Sequence, residues 1–192
     1  LASDALEGRL SGSKAEKTAA KYIESEFKKL GLQPYNKTFL QPFSYRYKTN
    51  PHADSTVVGD LLNSNNVIAY LDNGANKTIV IGAHYDHLGR NEHNNSTKPF
   101  SKGMIHNGAD DNASGVAGVL DLARIYAKNK TKEKVNFIFA LFSGEEDGLI
   151  GSKHMAESIK TLYPNVITMI NMDMIGRLDD KKSLVVGGTG TS

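Results

Sequence analysis

The chain has 192 residues, of which 39% are apolar and 23% are charged, and its formal net charge is +2. This composition is ordinary for a globular protein, and the small net charge gives no reason to expect a nucleic acid or a membrane as a partner. The sequence contains no cysteine, which excludes disulfide scaffolds, thiol nucleophiles and cysteine-bound metals. The length favours one domain, so residues 1–192 are interpreted as a single unit.

The first strong pattern along the chain is that of a capped helix. Ser13 and Glu16 have the spacing of a capping box, in which each side chain binds a main-chain N–H near the other residue. Apolar residues then recur at helical spacing as far as Gly31, a residue that commonly ends helices. This pattern predicts an amphipathic helix over 14–30.

The rest of the chain alternates between strand patterns and helix patterns. Strands are predicted at 37–47, 66–71, 78–83, 135–142 and 166–172. Helices are predicted at about 114–128 and 150–158, and the polar segment 90–107 is interpreted as a loop. Pro42 cannot donate to a β-ladder, so the first of these strands is placed at a sheet edge. The alternation predicts an α/β fold with a central, mostly parallel, twisted sheet and helices on both faces.

Four polar clusters lie at the boundaries of these elements. They are residues 84–87, 110–112, 144–147 and 171–173. Three clusters coincide with the ends of predicted strands, and the other comes just before a predicted helix. Parallel strands place their carboxyl ends at one edge of the sheet, where open α/β folds bind their ligands. We therefore expect the four clusters to meet at that edge.

The residue types in these clusters indicate a metal site. Carboxylates that lie close together repel one another unless a cation compensates their charge. Histidine with carboxylates, and without thiolates, suits zinc, manganese or cobalt. Asp86 follows His84 by two residues and is placed to accept a hydrogen bond from the imidazole nitrogen that faces away from a metal. The adjacent Glu145 and Glu146 point apart on an extended segment, so one can bind metal while the other acts as a general base.

With their flanking residues, the four clusters resemble a known family. The segments HYDHLG at 84–89, GADDNASG at 108–115, SGEEDG at 143–148 and NMDMIG at 171–176 are similar to motifs of the secreted bacterial zinc aminopeptidases. That family is related to glutaminyl cyclases and glutamate carboxypeptidases. The opening residues 1–9, LASDALEGR, resemble the start of the mature catalytic domain in the same group. The resemblance covers nearly the whole chain, and four motifs in order make it specific.

The resemblance implies a function and a role for each site residue. The residues expected to bind zinc are His84, Asp111, Glu146 and Asp173. Asp111 would bridge two zinc ions in the intact enzyme, Glu145 would act as the general base, and the Asp111–Asn112 peptide bond would be cis. The protein would then remove the N-terminal residue of a peptide substrate, and its location would be secreted or periplasmic.

One metal ligand of that family has no counterpart here. The family supplies a further histidine to the second zinc ion from a later part of the chain, and no histidine follows Asp173. The apolar run 184–186 and the glycine-rich end 187–192 indicate that the protein continues. We therefore expect a C-terminal part of the fold to lie outside this chain and the second zinc site to be weak. An unpaired sheet edge would then associate with that part or with a second copy. For His87 and His106, packing behind the ligands or exposure to solvent is favoured over a direct role.

Two other functions are compatible with the sequence. A non-catalytic relative could keep the fold as a binding scaffold, but it would not need a free base such as Glu145. A glutaminyl cyclase would act with a single zinc ion, whereas Asp111 and the acidic motifs fit a hydrolase with two metals better.

Overall fold

The structure is a computed structural model that describes residues 1–47, 59–178, 180, 182, 183 and 185–188. Leu184 and residues 189–192, on which part of the C-terminal prediction rests, lie outside the described residues. The helices are α1 (Lys14–Lys29), α2 (Gly115–Lys128) and α3 (Ile150–Leu162). The strands are β1 (Gln33–Pro34), β2 (Leu40–Tyr47), β3 (Asp60–Leu71), β4 (Thr78–His84), β5 (Asn136–Phe142) and β6 (Val166–Asn171). An irregular helical turn, Ala109–Ser114, leads into α2.

Helix α1 begins as predicted, but only half of the capping box forms. The Ser13 hydroxyl accepts a hydrogen bond from the Glu16 main-chain N–H at 3.0 Å. The Glu16 side chain is fully buried and hydrogen bonds instead with the hydroxyls of Ser64 and Tyr85. The reciprocal bond of the predicted capping box is absent among the described residues because the carboxyl group faces the core.

Two elements extend beyond their predicted limits. Strand β3 begins at Asp60, before the predicted start at residue 66, because its first half pairs with β2 along the whole length of that strand. This half mixes polar and apolar residues, so its sequence carries little periodic signal. Helix α3 continues to Leu162 instead of ending near residue 158.

The strands form one sheet in the order β1-β3-β5-β4-β6, with β2 also paired to β3. Strand β4 is parallel to both β5 and β6, whereas the pairs β1–β3, β2–β3 and β3–β5 are antiparallel. The sheet is therefore mixed and not mostly parallel as predicted. The parallel strands are those joined by the crossover helices α2 and α3, whereas β1, β2 and β3 follow one another with no helix between them among the described residues.

Helices cover both faces of the sheet, as the sequence predicted. Helices α1 and α2 pack on one face, where Ile23 and Val119 join a cluster with Phe139. Helix α3 packs on the other face, where Met155 joins Ile138. The α/β class is confirmed, and the carboxyl ends of β4, β5 and β6 open at one edge. Among the described residues, the helices are all too short or too polar to traverse a bilayer.

Candidate active site

The four polar clusters meet at the carboxyl edge of the parallel strands, as expected. His84 ends β4, while Glu145 and Glu146 follow β5. Asp173 follows β6, and Asp111 lies in the turn Ala109–Ser114 that precedes α2. The shared direction of β4, β5 and β6 places their ends side by side, and the turn closes over them from the side of α2.

The first group of ligand atoms surrounds the ring nitrogen Nε2 of His84. This atom lies 3.2 Å from Oδ1 of Asp111 and 3.6 Å from Oδ1 of Asp173. The three ligand atoms all lie within 4.8 Å of one another. One imidazole and two carboxylates at these distances fit a divalent cation such as zinc.

The charge balance around His84 also indicates a cation at this place. Burial alone would lower the pKa of His84, but hydrogen bonds to Asp111 and Asp86 and the charges of Asp86 and Glu145 raise it to about 11. The hydrogen bond with His84 in turn lowers the pKa of Asp111. The raised pKa of His84 reflects carboxylates arranged to stabilise positive charge at this ring.

Asp86 lies behind His84, but its carboxylate has a different main role from the predicted one. The His84 atom Nδ1 lies 3.2 Å from the Asp86 main-chain oxygen and 3.6 Å from its carboxylate Oδ1. The carboxylate, which is fully buried, accepts hydrogen bonds from the main-chain N–H groups of Glu145 and Glu146 at 3.3 and 3.4 Å. Asp86 therefore links the ends of β4 and β5 as well as facing His84.

A second group of possible ligands shares Asp111 with the first. It consists of His87, Asp111 and Glu146, whose ligand atoms also lie within 4.8 Å of one another. The Nδ1 atom of His87 lies 2.6 Å from Oε1 of Glu146 and 3.9 Å from Oδ1 of Asp111. The sequence favoured packing or solvent exposure for His87 over a direct role, since the direction of a side chain beyond the strand end cannot be deduced from spacing.

A glycine makes this position of His87 possible. Gly108 has a φ of 58°, and a Cβ atom there would lie 2.6 Å from the His87 ring. The ring therefore packs against bare backbone, and its Nδ1 is directed to the carboxylates. His106 lies beside it, with ring centroids 6.4 Å apart.

The two adjacent glutamates face different parts of the site. Glu146 contacts His87, whereas Oε2 of Glu145 lies 3.9 Å from Nε2 of His84. Burial raises the pKa of Glu145, and the charges of Glu146, Asp86 and Asp173 raise it further, although His84 opposes them. A cavity of about 190 Å³ opens on His84 and Glu145 and continues over Leu149 and Met169. Glu145 thus combines access to a cavity with a proton affinity above that of an ordinary glutamate.

Asn112 is a further residue of the site that the sequence analysis did not single out. The Asp111–Asn112 peptide bond is cis, as the family resemblance implied. The buried Asn112 side chain donates to the Met172 carbonyl at 2.9 Å, and its oxygen accepts from the N–H groups of Gly115 and Met174 at 3.0 and 3.3 Å. It therefore joins the Asp111 turn to the segment that carries Asp173.

Comparisons with known proteins agree with this geometry. Residues 66–192 match the model of peptidase family M28. A probable zinc metalloprotease of Pyrenophora tritici-repentis is 39% identical over 97 residues, which are 50% of this chain and 20% of that protein. The alkaline phosphatase isozyme conversion protein of Escherichia coli is 29% identical over 167 residues, which are 86% of this chain and 46% of that protein. The chain thus spans from about a fifth to about half of the length of these relatives.

Solved structures share the fold at lower identity. The aminopeptidase from Aneurinibacillus sp. strain AM-1 superposes with a TM-score of 0.68 and 21% identity over 89% of this chain and 68% of its own. The glutaminyl cyclase of Porphyromonas gingivalis gives a TM-score of 0.66 and 20% identity over 88% of this chain and 56% of its own. These likenesses support the fold, and the family model covers more than half of the chain. The chain belongs to peptidase family M28.

Proposed function

We propose that this chain forms the metal-binding part of a zinc aminopeptidase, with Glu145 as its general base. The observation that carries the proposal is the position of the Glu145 carboxylate. This carboxylate is half-buried, belongs to neither group of possible ligands, and lies beside the two groups that share Asp111. Zinc is the proposed metal because imidazole and carboxylate ligands suit it and because similar proteins are named zinc metalloproteases.

The second zinc ion would be held by His87, Asp111 and Glu146. From the sequence, only Asp111 and Glu146 were expected at this second site, which was therefore predicted to be weak. The Nδ1 atom of the buried His87 lies 2.6 Å from Oε1 of Glu146 and would supply a third ligand from within the chain. Three protein ligands are the usual number at catalytic zinc sites, where a further position stays open.

The residues around these sites suggest how peptide hydrolysis would proceed. When bound, zinc would polarise the scissile carbonyl and lower the pKa of the attacking water. Glu145 would accept the proton of that water and then donate it to the departing amine nitrogen. Asp86 would keep Glu145 in place through its hydrogen bond to the Glu145 main chain. The cavity beside Glu145 would receive part of the peptide substrate.

Glutaminyl cyclisation is the second candidate, because a glutaminyl cyclase shares the fold. The second group of ligands favours hydrolysis, since a cyclase that acts with one zinc ion has no use for a bridging carboxylate. An assay with both an aminoacyl-anilide and an N-terminal glutaminyl peptide separates the two candidates. Release of the anilide supports the aminopeptidase, and conversion of the glutaminyl peptide alone would contradict it.

The experiment that tests the proposed mechanism is the substitution Glu145→Gln. We expect turnover of an aminoacyl-anilide to fall by about 100-fold to 10,000-fold, the range typical of lost general base catalysis. Zinc content, measured by atomic absorption, should remain that of the unmodified protein. Glu146→Gln is the matched control, and it should lower zinc content as well as turnover. Loss of zinc in Glu145→Gln, with retention in Glu146→Gln, would show that the two roles are exchanged.

A further inference from the structure

The N-terminal segment contains a charged residue that is completely buried behind the site. Arg9 has 0% of its surface exposed, and within the described part of the chain no carboxylate lies close enough to form a salt bridge with it. Buried arginines without a paired anion are rare because a charge is costly to remove from water. The presence of Arg9 at this place therefore calls for a specific role.

The Arg9 guanidinium donates its hydrogen bonds to main-chain carbonyls. Its Nε binds the Tyr85 carbonyl at 2.7 Å, and one terminal nitrogen binds the Gly108 carbonyl at 2.9 Å. The other terminal nitrogen binds the carbonyls of Leu1 and Asn107 at 2.7 and 2.8 Å. One rigid, planar group thus holds three separate stretches of chain together.

Two of these stretches carry the metal ligands. Tyr85 lies directly after His84, and Gly108 lies just before the turn that contains Asp111. The Arg9 carbonyl also accepts a hydrogen bond from the His87 main-chain N–H at 3.2 Å. Arg9 therefore contacts the backbone next to His84, at His87 and before Asp111, the residues on which both groups of ligands depend.

The backbone around Arg9 is shaped for this contact. Gly8 has a φ of 71°, and a Cβ atom there would lie 2.4 Å from the His106 carbonyl oxygen and 2.5 Å from that of Gly89. Arg9 itself has a φ of 50°, which is uncommon for a residue with a side chain. The surrounding contacts hold this segment in a conformation that an isolated peptide would seldom adopt.

We propose that Arg9 is a positioning residue that sets the separation of His84 and Asp111 before metal binds. The inference rests on the proposed zinc site. Arg9 belongs to neither group of possible ligands; it acts through the main chain next to His84 and before Asp111. Its positive charge also lies near Asp86 and Asp111, and it offsets part of the negative charge that gathers at this edge of the sheet.

The substitution Arg9→Lys tests the proposal, because lysine keeps the charge but cannot span all these carbonyls. Zinc affinity, measured by chelator competition on the metal-free protein, should fall by about 10-fold to 100-fold, as for other residues that orient ligands. Arg90→Lys is the control, since Arg90 binds the Glu7 side chain and the Gly103 carbonyl and should change zinc affinity less than about twofold.

Thermal unfolding distinguishes positioning from a purely structural role. A purely structural residue would lower the Tm of the metal-free and zinc-loaded forms equally, whereas a positioning residue reduces the rise in Tm that zinc produces. An unchanged zinc affinity together with an unchanged rise in Tm in Arg9→Lys would overturn the proposal. If the unmodified protein itself bound no zinc, the proposed function would fail, and the role of Arg9 in metal binding would fail with it.

The unmodified protein offers an independent measurement if Arg9→Lys does not fold. The Nε–H proton of Arg9 should exchange slowly with solvent in NMR spectra of the metal-free protein, because its hydrogen bond to Tyr85 already exists. Fast exchange without zinc and slow exchange with zinc would show that Arg9 is ordered by the metal, and this result would also overturn the proposal.

Discussion

Strands β4 and β6 are neighbours in the sheet, and each places a candidate metal ligand near its carboxyl end, but the surroundings of these two residues differ. Strand β4 is paired on both edges, and His84 at its end is 3% exposed. Strand β6 is paired only with β4 among the described residues, and the Asp173 side chain beyond it is 47% exposed. One ligand is fixed by the core, and the other lies on an open surface.

This difference indicates that the candidate site consists of a rigid half and an adaptable half. The rigid half comprises His84, Asp86 and Arg9, which are buried and connected by hydrogen bonds. The adaptable half comprises Asp173 and its flanking residues, which bond through Asn112, Ser114 and Asp110 to the turn before α2. The expectation that another part of the protein, or a second copy, covers the β6 edge stays a prediction.

The largest difference between the two halves is expected when one candidate ligand is removed from each. His84→Ala should weaken zinc binding by more than about 100-fold, beyond the usual effect of a residue that only orients a ligand. Asp173→Ala should cost about 10-fold, because water can reach this exposed position and replace the carboxylate. Chelator competition measures both losses, and equal losses would show that the two halves are equivalent.

The contribution to the free energy of unfolding should differ in the same way between two isoleucines that are paired across β4 and β6. Ile81 and Ile170 are paired in the ladder, yet Ile81 is 4% exposed and Ile170 is 55% exposed. Ile81→Ala should lower the free energy of unfolding by about 2–5 kcal/mol, whereas Ile170→Ala should change it by about 0.5 kcal/mol or less. Denaturant unfolding measures both, and a large loss at Ile170 would indicate that another chain buries it in solution.

A pair of aspartates tests whether the rigid half depends on buried hydrogen bonds. Asp86→Asn places an amide group against the N–H groups of Glu145 and Glu146 and should weaken zinc binding by about 10-fold to 100-fold. Asp110 also accepts a hydrogen bond from a main-chain N–H group, that of Gly176, at 2.9 Å. This bond holds the segment after Asp173, which belongs to the adaptable half. Asp110→Asn should therefore reduce zinc affinity by only about threefold or less. The reverse order of effects would contradict the division into halves.

The smallest expected effect is a change in how stability depends on pH. Burial raises the pKa of Glu16 above its ordinary value of 4.5, although bonds from Ser64 and Tyr85 oppose the shift. The folded chain thus retains a proton that the unfolded chain releases. Glu16 therefore contributes stability fully below pH 4.5 and loses this contribution as pH rises through its folded-state pKa.

Comparison with Glu16→Gln isolates this contribution. As the pH rises above 4.5, the free energy of unfolding of the unmodified protein should fall relative to that of Glu16→Gln. Chemical unfolding at a series of pH values measures the difference. Parallel curves would mean that Glu16 titrates alike in the folded and unfolded chains, and that the core behind β4 is wetter than the structure shows.

The sequence predicted most reliably those elements whose pattern has a single physical cause. The continuous apolar runs of β4 and β5 can be explained only by burial on both faces, and the clusters after them follow from the direction of parallel strands. The first half of β3 was not predicted, because its pairing with β2 is a long-range property that leaves little trace in local composition.

The candidate site was predictable to a similar extent. His84, Asp111, Glu146 and Asp173 come together in the structure, as the motifs and the topology predicted, and their roles stay predictions. The contacts of His87 and Asn112 were not predicted, because they depend on the path of the chain between elements. Arg9 belongs to the N-terminal segment that resembles the family, but its contacts could not be predicted, since its partners are main-chain carbonyls that every residue possesses. Residues that position a site through the backbone are thus the hardest to identify from sequence.

The central claim, that this chain holds two zinc ions around Asp111, is tested most directly by anomalous diffraction at the zinc edge from crystals grown with zinc. The account predicts two peaks in each chain, one between His84 and Asp173 and the other between His87 and Glu146, with Asp111 contacting both. A single peak at His84, with His87 still hydrogen bonded to Glu146, would contradict it.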